Sequence, residues 1–307
     1  MAAKVRVTFL GTSSAAPTRD RGLPAIVVRR EGHVILMDCG EGVQRQILEE
    51  SVGLGKDLTV LVTHLHGDHV SGLLGLLQTM SMAGRKKPVD MVAPAKLLKW
   101  LDVTSDLLNV GLTFPIRFVP ARPGVVLRYR DFRIRAARAT HSVDAFSYVV
   151  EEGPRSGVFH PDRARALRVP EGKLWSTLQK GRSVKVGDRR VSPSEVTGPR
   201  RRGVKIGYSG DTRPSPSLVR FFRGCDLLIF DSTFRASDAA KAKERKHSTS
   251  VEAAAVAKRA KVRKLALTHF SARYVETGPL VREARKVFPE TVAAFDGLTL
   301  EVSPSPG

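Results

Sequence analysis

The chain has 307 residues, of which 42% are hydrophobic and 26% charged, a composition typical of a globular protein that buries a full core without cross-links. Its 51 Lys and Arg exceed its 30 Asp and Glu, and the formal charge of +21 favours a polyanionic partner, with nucleic acid ahead of an anionic membrane surface. Two cysteines exclude a disulfide framework and a CxxC zinc ribbon, and short apolar runs exclude a membrane span, so we expect a cytoplasmic protein.

Strand-like and helix-like segments alternate along both halves of the chain. Apolar runs bounded by turn residues predict strands at 5–10, 25–28, 34–37, 58–62, 89–92, 114–119, 125–129, 132–137, 147–150, 204–208, 227–230 and 264–267. Helical periodicity predicts helices at 41–50, 73–82, 95–108 and 251–259. Mixed strands and helices in both halves indicate an α/β fold whose sheets are covered by helices.

Residues 151–203 interrupt this pattern. The segment holds 13 Lys and Arg against 6 Asp and Glu and is rich in glycine and proline, which predicts a protruding, mobile arm. Phe159, His160 and Trp175 lie among its basic residues, and exposed aromatic rings in such surroundings can stack on bases. A surface insertion without a role is the alternative.

The strongest chemical signal is the run His64-Leu65-His66-Gly67-Asp68-His69, directly after a predicted strand. His64 and His66, two residues apart at the end of a strand, project to the same side and can share one metal ion. The turn at Gly67 brings Asp68 and His69 round to a second position nearby. Three more potential ligands follow predicted strands downstream, namely His141, Asp211 and His269.

These residues resemble the metallo-β-lactamase superfamily and, within it, the tRNase Z family of endonucleases that trim the 3′ ends of tRNA precursors. The His-rich loop specifies the superfamily, whereas the run at 247–249 (His-Ser-Thr) and the run at 269–274 (His-Phe-Ser-Ala-Arg-Tyr) point to tRNase Z. The resemblance covers nearly the whole chain. It implies one αββα metallo-β-lactamase hydrolase domain over 1–307, with the basic arm inserted at 151–203.

The resemblance also implies two zinc ions. The implied ligands are His64, His66 and His141 for one ion, Asp68, His69 and His269 for the other, and Asp211 as the bridge between them. A hydroxide between the ions would attack the phosphodiester, leaving a 3′-OH on the tRNA, and Asp68 would orient or deprotonate that water. Manganese or iron is an alternative to zinc in a mixed His and Asp site.

Three further residues are expected to support the reaction. The departing 3′-oxygen needs a proton, and His247 is the expected donor, just ahead of a helix capping box formed by Thr249 and Glu252. Since a helix N-terminus lowers the pKa of a histidine, this role requires an opposing carboxylate, and Asp231 stands where the family commonly has a glutamate. Asp38 resembles the first acidic motif of the superfamily, a hydrogen-bonded support behind the ligands.

Substrate contacts are expected from arginines and from the arm. Arg19 and Arg21 lie in a segment that resembles a family loop near the cleavage point, and Arg273 lies in the family's ending motif. The arm falls where tRNase Z carries a flexible exosite for the tRNA elbow, and its cations would neutralise phosphates with little sequence specificity. The implied partners are precursor tRNA and a second copy of the chain in a homodimer. The sequence indicates no other protein partner.

Two alternatives to a zinc-dependent tRNA 3′-processing endoribonuclease stay open. One is a small-molecule phosphodiesterase or arylsulfatase-like hydrolase of the same superfamily, against which the charge of +21 and the basic arm weigh. The other is a non-catalytic RNA-binding protein that has kept the fold. The presence of all seven expected ligands and of His247 disfavours it, and metal content would distinguish the two.

Overall fold

The computed structural model describes residues 5–154 and 156–304. Within these ranges the strands are, in chain order, β1 (Val5–Gly11), β2 (Ser13–Ser14), β3 (Ala25–Arg30), β4 (His33–Met37), β5 (Asp57–Leu61), β6 (Val89–Ala93), β7 (Ile116–Pro120), β8 (Gly124–Arg128), β9 (Phe132–Arg138), β10 (Phe146–Glu152), β11 (Val184–Val186), β12 (Arg189–Val191), β13 (Lys205–Tyr208), β14 (Leu227–Asp231), β15 (Lys264–Thr268), β16 (Phe270–Ser271), β17 (Thr291–Ala293) and β18 (Thr299–Val302). The helices are α1 (Val43–Glu49), α2 (Gly67–Val70), α3 (Leu73–Met82), α4 (Lys96–Leu107), α5 (Pro161–Ala166), α6 (Lys173–Gln179), α7 (Pro193–Val196), α8 (Pro216–Phe221), α9 (Ala239–Glu244), α10 (Ser250–Arg259) and α11 (Gly278–Arg285). None of these helices has the length and apolar character needed to cross a membrane.

The predicted elements form close to their predicted bounds. The helix predicted at 73–82 is α3, and the strand predicted at 34–37 is β4 with one more residue at its start. The helix predicted at 41–50 is shorter, because Gly42 has a φ of +81°, a left-handed conformation outside helical backbone. The sequence analysis missed β17, β18, α8 and α11, since segments of three to eight residues carry little periodic signal.

Fourteen of the described strands form two seven-stranded sheets, and two-stranded sheets are formed by β2 with β16 and by β11 with β12. The first has the order β18-β1-β3-β4-β5-β6-β7, and the second has the order β17-β15-β14-β13-β10-β9-β8. Strands β4 to β7 of the first sheet are mutually parallel, as are β13, β14, β15 and β17 of the second. The loops that follow parallel strands gather at one edge of a sheet, where ligands bind in such folds.

An apolar core lies between the two sheets, and two more lie beneath the outer helices. Along β4, Ile35 and Met37 belong to the core between the sheets, whereas Val34 and Leu36 belong to the core beneath the helices. Helices α1, α3 and α4 cover the first sheet, and α8, α10 and α11 cover the second. The layers are therefore helix, sheet, sheet and helix, and the predicted αββα sandwich is confirmed.

Residues 152–203 belong to a second compact unit. It contains α5, α6, α7 and an antiparallel hairpin of β11 and β12, around a small core of Ala164, Val169, Leu178, Val184, Val191 and Val196. Its glycines and prolines mark the ends of these short elements. Pro161 begins α5, for example, and Gly172, with a φ of +102°, precedes α6.

The aromatic residues of this unit contribute to its core. Phe159 and Trp175 are half-buried, their ring centroids are 5.2 Å apart, and both pack against the core residues. The indole Nε1 of Trp175 donates a hydrogen bond to the carbonyl of Val169 at 2.9 Å. The expectation that these two rings are exposed and available to stack on bases is therefore wrong, because both rings bury apolar surface against the small core of this unit.

Candidate active site

The predicted ligands follow strands of both sheets and meet between them. His64 and His66 follow β5, and Asp68 and His69 lie on α2, the single helical turn that begins at Gly67. His141, Asp211 and His269 lie beyond β9, β13 and β15 of the second sheet. His269 has a φ of +63°, a left-handed conformation that side chains other than glycine rarely adopt outside functional or strained positions.

The ligands form two groups in which nitrogen and oxygen atoms converge. One group is His64, His66, His141 and Asp211, and the other is Asp68, His69 and His269. In the first, Nδ1 of His66 lies 3.0 Å from Nε2 of His64 and 3.2 Å from Nε2 of His141. In the second, Nε2 of His69 lies 3.3 Å from Nε2 of His269. Imidazole nitrogens that face one another at these distances suit a cation held between them.

Asp211 joins the two groups. Its Oδ2 lies 3.6 Å from Nε2 of His64 and 3.4 Å from Nε2 of His69, and its Oδ1 lies 3.2 Å from Nε2 of His269. The carboxylate is buried, and Oδ1 has no hydrogen-bond partner among the described residues. A buried carboxylate oxygen without a donor is costly unless a cation compensates its charge. The donor set and this orphaned oxygen therefore fit divalent metal ions in both groups, with Asp211 shared.

The second ring nitrogen of four ligand histidines contacts an oxygen, which sets the orientation and the tautomer of each ring. The pairs are His64 Nδ1 with Thr63 Oγ1 at 3.0 Å, His69 Nδ1 with Asp38 Oδ2 at 2.8 Å, His141 Nδ1 with the Lys246 carbonyl at 3.1 Å, and His269 Nδ1 with Thr233 Oγ1 at 2.9 Å. Sequence reasoning predicted only Asp38 among these partners. The others are a backbone carbonyl and two threonines, residue types that carry no metal-site signal in a sequence.

Asp38 lies fully buried behind the second group. Besides contacting His69, its carboxylate accepts hydrogen bonds from the backbone N–H of Thr63 at 2.7 Å and from the hydroxyl of Tyr208 at 2.7 Å. Burial, and next the negative charge of Asp38, raise the pKa of the Tyr208 hydroxyl well above its usual value, so this hydroxyl remains a donor. Asp38 thus occupies the supporting position for which the sequence suggested it.

His247 lies at the edge of the two groups and faces Asp231. Its Nδ1 is 3.0 Å from Oδ2 of the fully buried Asp231 and 3.9 Å from Oδ2 of Asp211. Burial lowers the pKa of His247, but the charges of Asp231 and Asp211 outweigh it and raise this pKa to about 9. The side chains of His247, Asp211 and His269 also lie close enough together to form a third group that could hold a metal ion. Nδ1 of His247, however, faces Asp231.

The capping box predicted after His247 is confirmed. The Thr249 side chain accepts a hydrogen bond from the backbone N–H of Glu252 at 3.2 Å, and the Glu252 carboxylate accepts one from the backbone N–H of Thr249 at 2.9 Å. This box begins α10. The segment that carries His247 therefore ends at Thr249, the N-cap of α10.

The catalytic candidate Asp68 is anchored by the loop that precedes β3. Its Oδ2 accepts a hydrogen bond from the backbone N–H of Ala15 at 2.9 Å and lies 3.5 Å from Nε2 of His269. Ala15 has a φ of +60°. A left-handed alanine beside a candidate catalytic carboxylate is the type of strain that concentrates at functional sites.

The three arginines expected to contact substrate differ in their surroundings. Arg19 is exposed, and Arg273 is exposed with its guanidinium 5.1 Å from the ring centroid of Phe234. Arg21 is buried, and its guanidinium donates to the carbonyls of Tyr274 at 2.8 Å and Val275 at 3.3 Å. The expectation of a substrate contact at Arg21 is therefore corrected, because this side chain ties its own loop to the segment after His269.

Comparisons with known proteins agree with this geometry. A family model described as "Anti-Pycsar protein Apyc1" matches residues 5–148, and one described as "Beta-lactamase superfamily domain" matches residues 177–270. Ribonuclease Z of Nitrosopumilus maritimus is 43% identical over 298 residues, covering 97% of this chain and 100% of its own. Ribonuclease Z of Methanosarcina acetivorans is 41% identical, covering 97% and 98%.

Solved structures show the same architecture. The crystal structure of human tRNase Z, short form, superimposes with a TM-score of 0.71 at 27% identity, covering 97% of this chain and 99% of that one. YhfI from Bacillus subtilis, a metallo-β-lactamase fold protein, superimposes with a TM-score of 0.69 at 18% identity and shows the fold alone. Since these two curated relatives are 43% and 41% identical to this chain across nearly the whole of both chains, this chain belongs to the ribonuclease Z family of the metallo-β-lactamase superfamily.

Proposed function

We propose that this protein is a zinc-dependent endoribonuclease that removes the 3′ trailer from precursor tRNA. The observation that carries the proposal is the convergence of two His and Asp groups on the buried carboxylate of Asp211, whose Oδ1 has no hydrogen-bond partner among the described residues. The family membership supports it, since the curated relatives are named ribonuclease Z and a structural neighbour is a tRNase Z. The formal charge of +21 suits an RNA substrate.

The two groups would each hold one metal ion. The residues that would bind them are His64, His66 and His141 for the first, Asp68, His69 and His269 for the second, and Asp211 for both. Nitrogen-rich ligands favour zinc, and the carboxylates also admit manganese or iron. When bound, such ions stabilise negative charge on a phosphate and make water acidic enough to supply a nucleophile at neutral pH.

The chain's own residues supply proton transfer and orientation. Asp68 accepts the proton of the attacking water, with Oδ2 already held by the Ala15 N–H. Because Nδ1 of His247 faces Asp231, Nε2 of that ring donates the proton to the departing 3′-oxygen. The new bond joins the water oxygen to phosphorus, and the bond from phosphorus to the 3′-oxygen breaks. The tRNA leaves with a 3′-OH and the trailer with a 5′-phosphate.

The two alternative functions predict different outcomes in one experiment. Precursor tRNA labelled at each end is incubated with the purified protein, with zinc and with a chelator, and the cut is mapped. Chelator-sensitive cleavage at the 3′ end of the acceptor stem is the expected result. Absence of cleavage with metal bound would favour a small-molecule hydrolase, and absence of both cleavage and metal would favour a non-catalytic RNA-binding protein.

The unit at 152–203 is proposed as the exosite for tRNA. It carries 13 of the chain's Lys and Arg between residues 151 and 203, against 6 Asp and Glu, and it has an apolar core of its own. The two chain segments at its base are adjacent, since a Cβ placed on Gly203 would lie 2.6 Å from the Gly153 carbonyl oxygen. Residues 154–202 can therefore be replaced by a short glycine linker between these two glycines.

This deletion is expected to raise KM for precursor tRNA by about tenfold or more. The KM of the variant should also depend less on salt concentration, because the variant neutralises fewer phosphates of the tRNA. Hydrolysis of bis(p-nitrophenyl) phosphate, which is too small to reach an exosite, should stay within about twofold of the wild type. Steady-state kinetics on both substrates at several salt concentrations measure this. Equal losses on the two substrates would contradict the exosite.

We further propose a homodimer formed through the helices on the outer face of the first sheet. Leu48 on α1, Met82 on α3 and Leu107 on α4 are 78%, 82% and 72% exposed. Large apolar side chains exposed on neighbouring helices are typical of an interface. Sedimentation equilibrium is expected to show a dimer for the wild type and a monomer for the double variant Met82→Glu with Leu107→Glu. A dimer in both proteins would contradict an interface on this face.

The two buried free cysteines support a cytosolic location.

A further inference from the structure

The loop that carries Asp211 also carries an arginine that contacts the segment of His247. Nη1 of Arg213 donates a hydrogen bond to the backbone carbonyl of His247 at 2.6 Å and another to Oε2 of Glu252 at 2.8 Å. Nη2 of Arg213 pairs with the other oxygen of the Glu252 carboxylate. The side chains of Arg213 and Glu252 are 21% and 30% exposed, so water screens this pair only in part. One guanidinium thus holds a carbonyl and a carboxylate together.

The carboxylate held by Arg213 is the one that caps α10. Oε2 of Glu252 accepts hydrogen bonds from the backbone N–H and the hydroxyl of Thr249 at 2.9 and 3.1 Å. The backbone N–H of Arg213 donates to the carbonyl of Thr140, next to the ligand His141, at 2.9 Å. Arg213 therefore connects three loops of the candidate active site, which are those of Asp211, His141 and His247.

The backbone is held on both sides of His247. The carbonyl of Lys246 contacts Nδ1 of His141 at 3.1 Å, and the carbonyl of His247 accepts from Arg213. Lys246 has a φ of +56°, a left-handed conformation that persists only when its surroundings impose it. With both carbonyls held, the direction of the His247 Cα–Cβ bond is set before Asp231 contacts the ring. Asp231 and Thr233 then contact Nδ1 of the imidazole itself, at 3.0 and 3.2 Å.

We propose that Arg213, with Glu252, is a positioning residue for proton donation by His247. This inference rests on the proposed function, because it takes His247 as the donor to the departing oxygen. A guanidinium suits the role because its planar fork reaches a carboxylate and a carbonyl at once, which the single ammonium of lysine does not do in the same geometry. Arg213 does not touch the ligand atoms of the two metal groups in the contacts described, so it acts on the ring through the backbone.

The test compares two esters that differ in their need for a proton. The departing 3′-oxygen of RNA needs one, whereas the nitrophenolate of bis(p-nitrophenyl) phosphate leaves without one. Arg213→Gln is expected to lower the single-turnover rate on precursor tRNA by about a hundredfold, the usual effect of misplacing a catalytic group by about 1 Å. The same variant should keep nitrophenyl ester hydrolysis, KM for precursor tRNA and metal content within about twofold of the wild type.

A second variant and a matched control make the test specific. Glu252→Gln keeps a residue that serves in a capping box but removes the charge that Arg213 holds. It should show the same selective loss on RNA, and it replaces Arg213→Gln in the test if that variant does not fold. Arg235→Gln is the control, because Arg235 contacts Glu283 at 2.9 Å in a similar ion pair that does not touch His247. The control should leave both rates within about twofold of the wild type.

The outcomes separate this inference from the proposed function. Equal losses on both esters, or loss of metal, would show a merely structural role for Arg213 and overturn the inference, as would an unchanged rate on precursor tRNA. If His247→Ala slows only the RNA reaction while Arg213→Gln and Glu252→Gln slow neither, the inference alone is wrong. If His247→Ala slows both esters equally, the proton-donor role fails, and the positioning role fails with it.

Discussion

Asp211→Asn is expected to abolish cleavage of precursor tRNA and to lower the metal bound per chain. The substitution keeps the shape of the side chain but removes the negative charge that faces both His groups, at 3.6 Å from His64 and 3.2 Å from His269. Loss of several kcal/mol of charge stabilisation corresponds to a rate reduction of about a thousandfold or more. Metal analysis of the purified protein and single-turnover cleavage with labelled precursor tRNA measure the two effects.

Asp144→Asn is the matched control for this prediction. Asp144 lies three residues after His141, is 52% exposed and pairs with Arg138 rather than with a ligand histidine. An exposed ion pair of this kind contributes at most about 1 kcal/mol, so the control should bind metal and cleave RNA like the wild type. Full metal content and full activity in Asp211→Asn would exclude Asp211 as a shared ligand and would remove the main support for two adjacent ions.

His247→Ala is expected to lower the single-turnover rate on precursor tRNA by about a hundredfold to ten-thousandfold, the usual contribution of a general acid. Metal content should not change, because Nδ1 of His247 faces Asp231 at 3.0 Å and lies farther, at 3.9 Å, from Asp211. Hydrolysis of bis(p-nitrophenyl) phosphate should persist, since its leaving group needs no proton. Parallel rates on the two substrates measure this selectivity.

Asp231→Asn provides an independent check on the donor. It removes the anion whose charge raises the pKa of His247, so the pKa of this ring falls and the ring holds its proton less well. The same selective loss on RNA is expected, with a smaller magnitude than in His247→Ala because the ring itself remains. A general acid at His247 would be ruled out by an equal slowing of both esters in His247→Ala.

Local patterns predicted most of the secondary structure and the candidate metal ligands. Strand β4 reads as a continuous apolar run because Val34 and Leu36 pack on helices while Ile35 and Met37 pack between the sheets. The spacing from His64 to His69 places several donor atoms within one strand end and one helical turn. Such features depend on neighbours in the chain, so they are readable before the chain is folded.

The arm shows where composition misled. The basic composition led us to expect exposed aromatic rings, yet Phe159 and Trp175 pack on a core enclosed by short helices and a hairpin. A composition rich in glycine and proline indicates that regular elements are interrupted. It does not show how the short elements between these residues pack. Trp175 is half-buried because it packs against this small core, which depends on tertiary contacts.

By itself, the sequence determined the alternation of strands and helices, the basic charge and the seven residues that could bind metal, because each depends on residue type and short spacing. The tertiary structure alone decided that Thr63, Thr233 and the Lys246 carbonyl contact ring nitrogens of the candidate ligand histidines. It also decided that Arg21 holds two carbonyls and that Arg213 contacts Glu252 and His247. Arg213 and Glu252 are 39 residues apart in the chain. Contacts at such separations arise only when sheets and helices pack against one another, and ordinary arginines, threonines and backbone carbonyls carry no local sign of them.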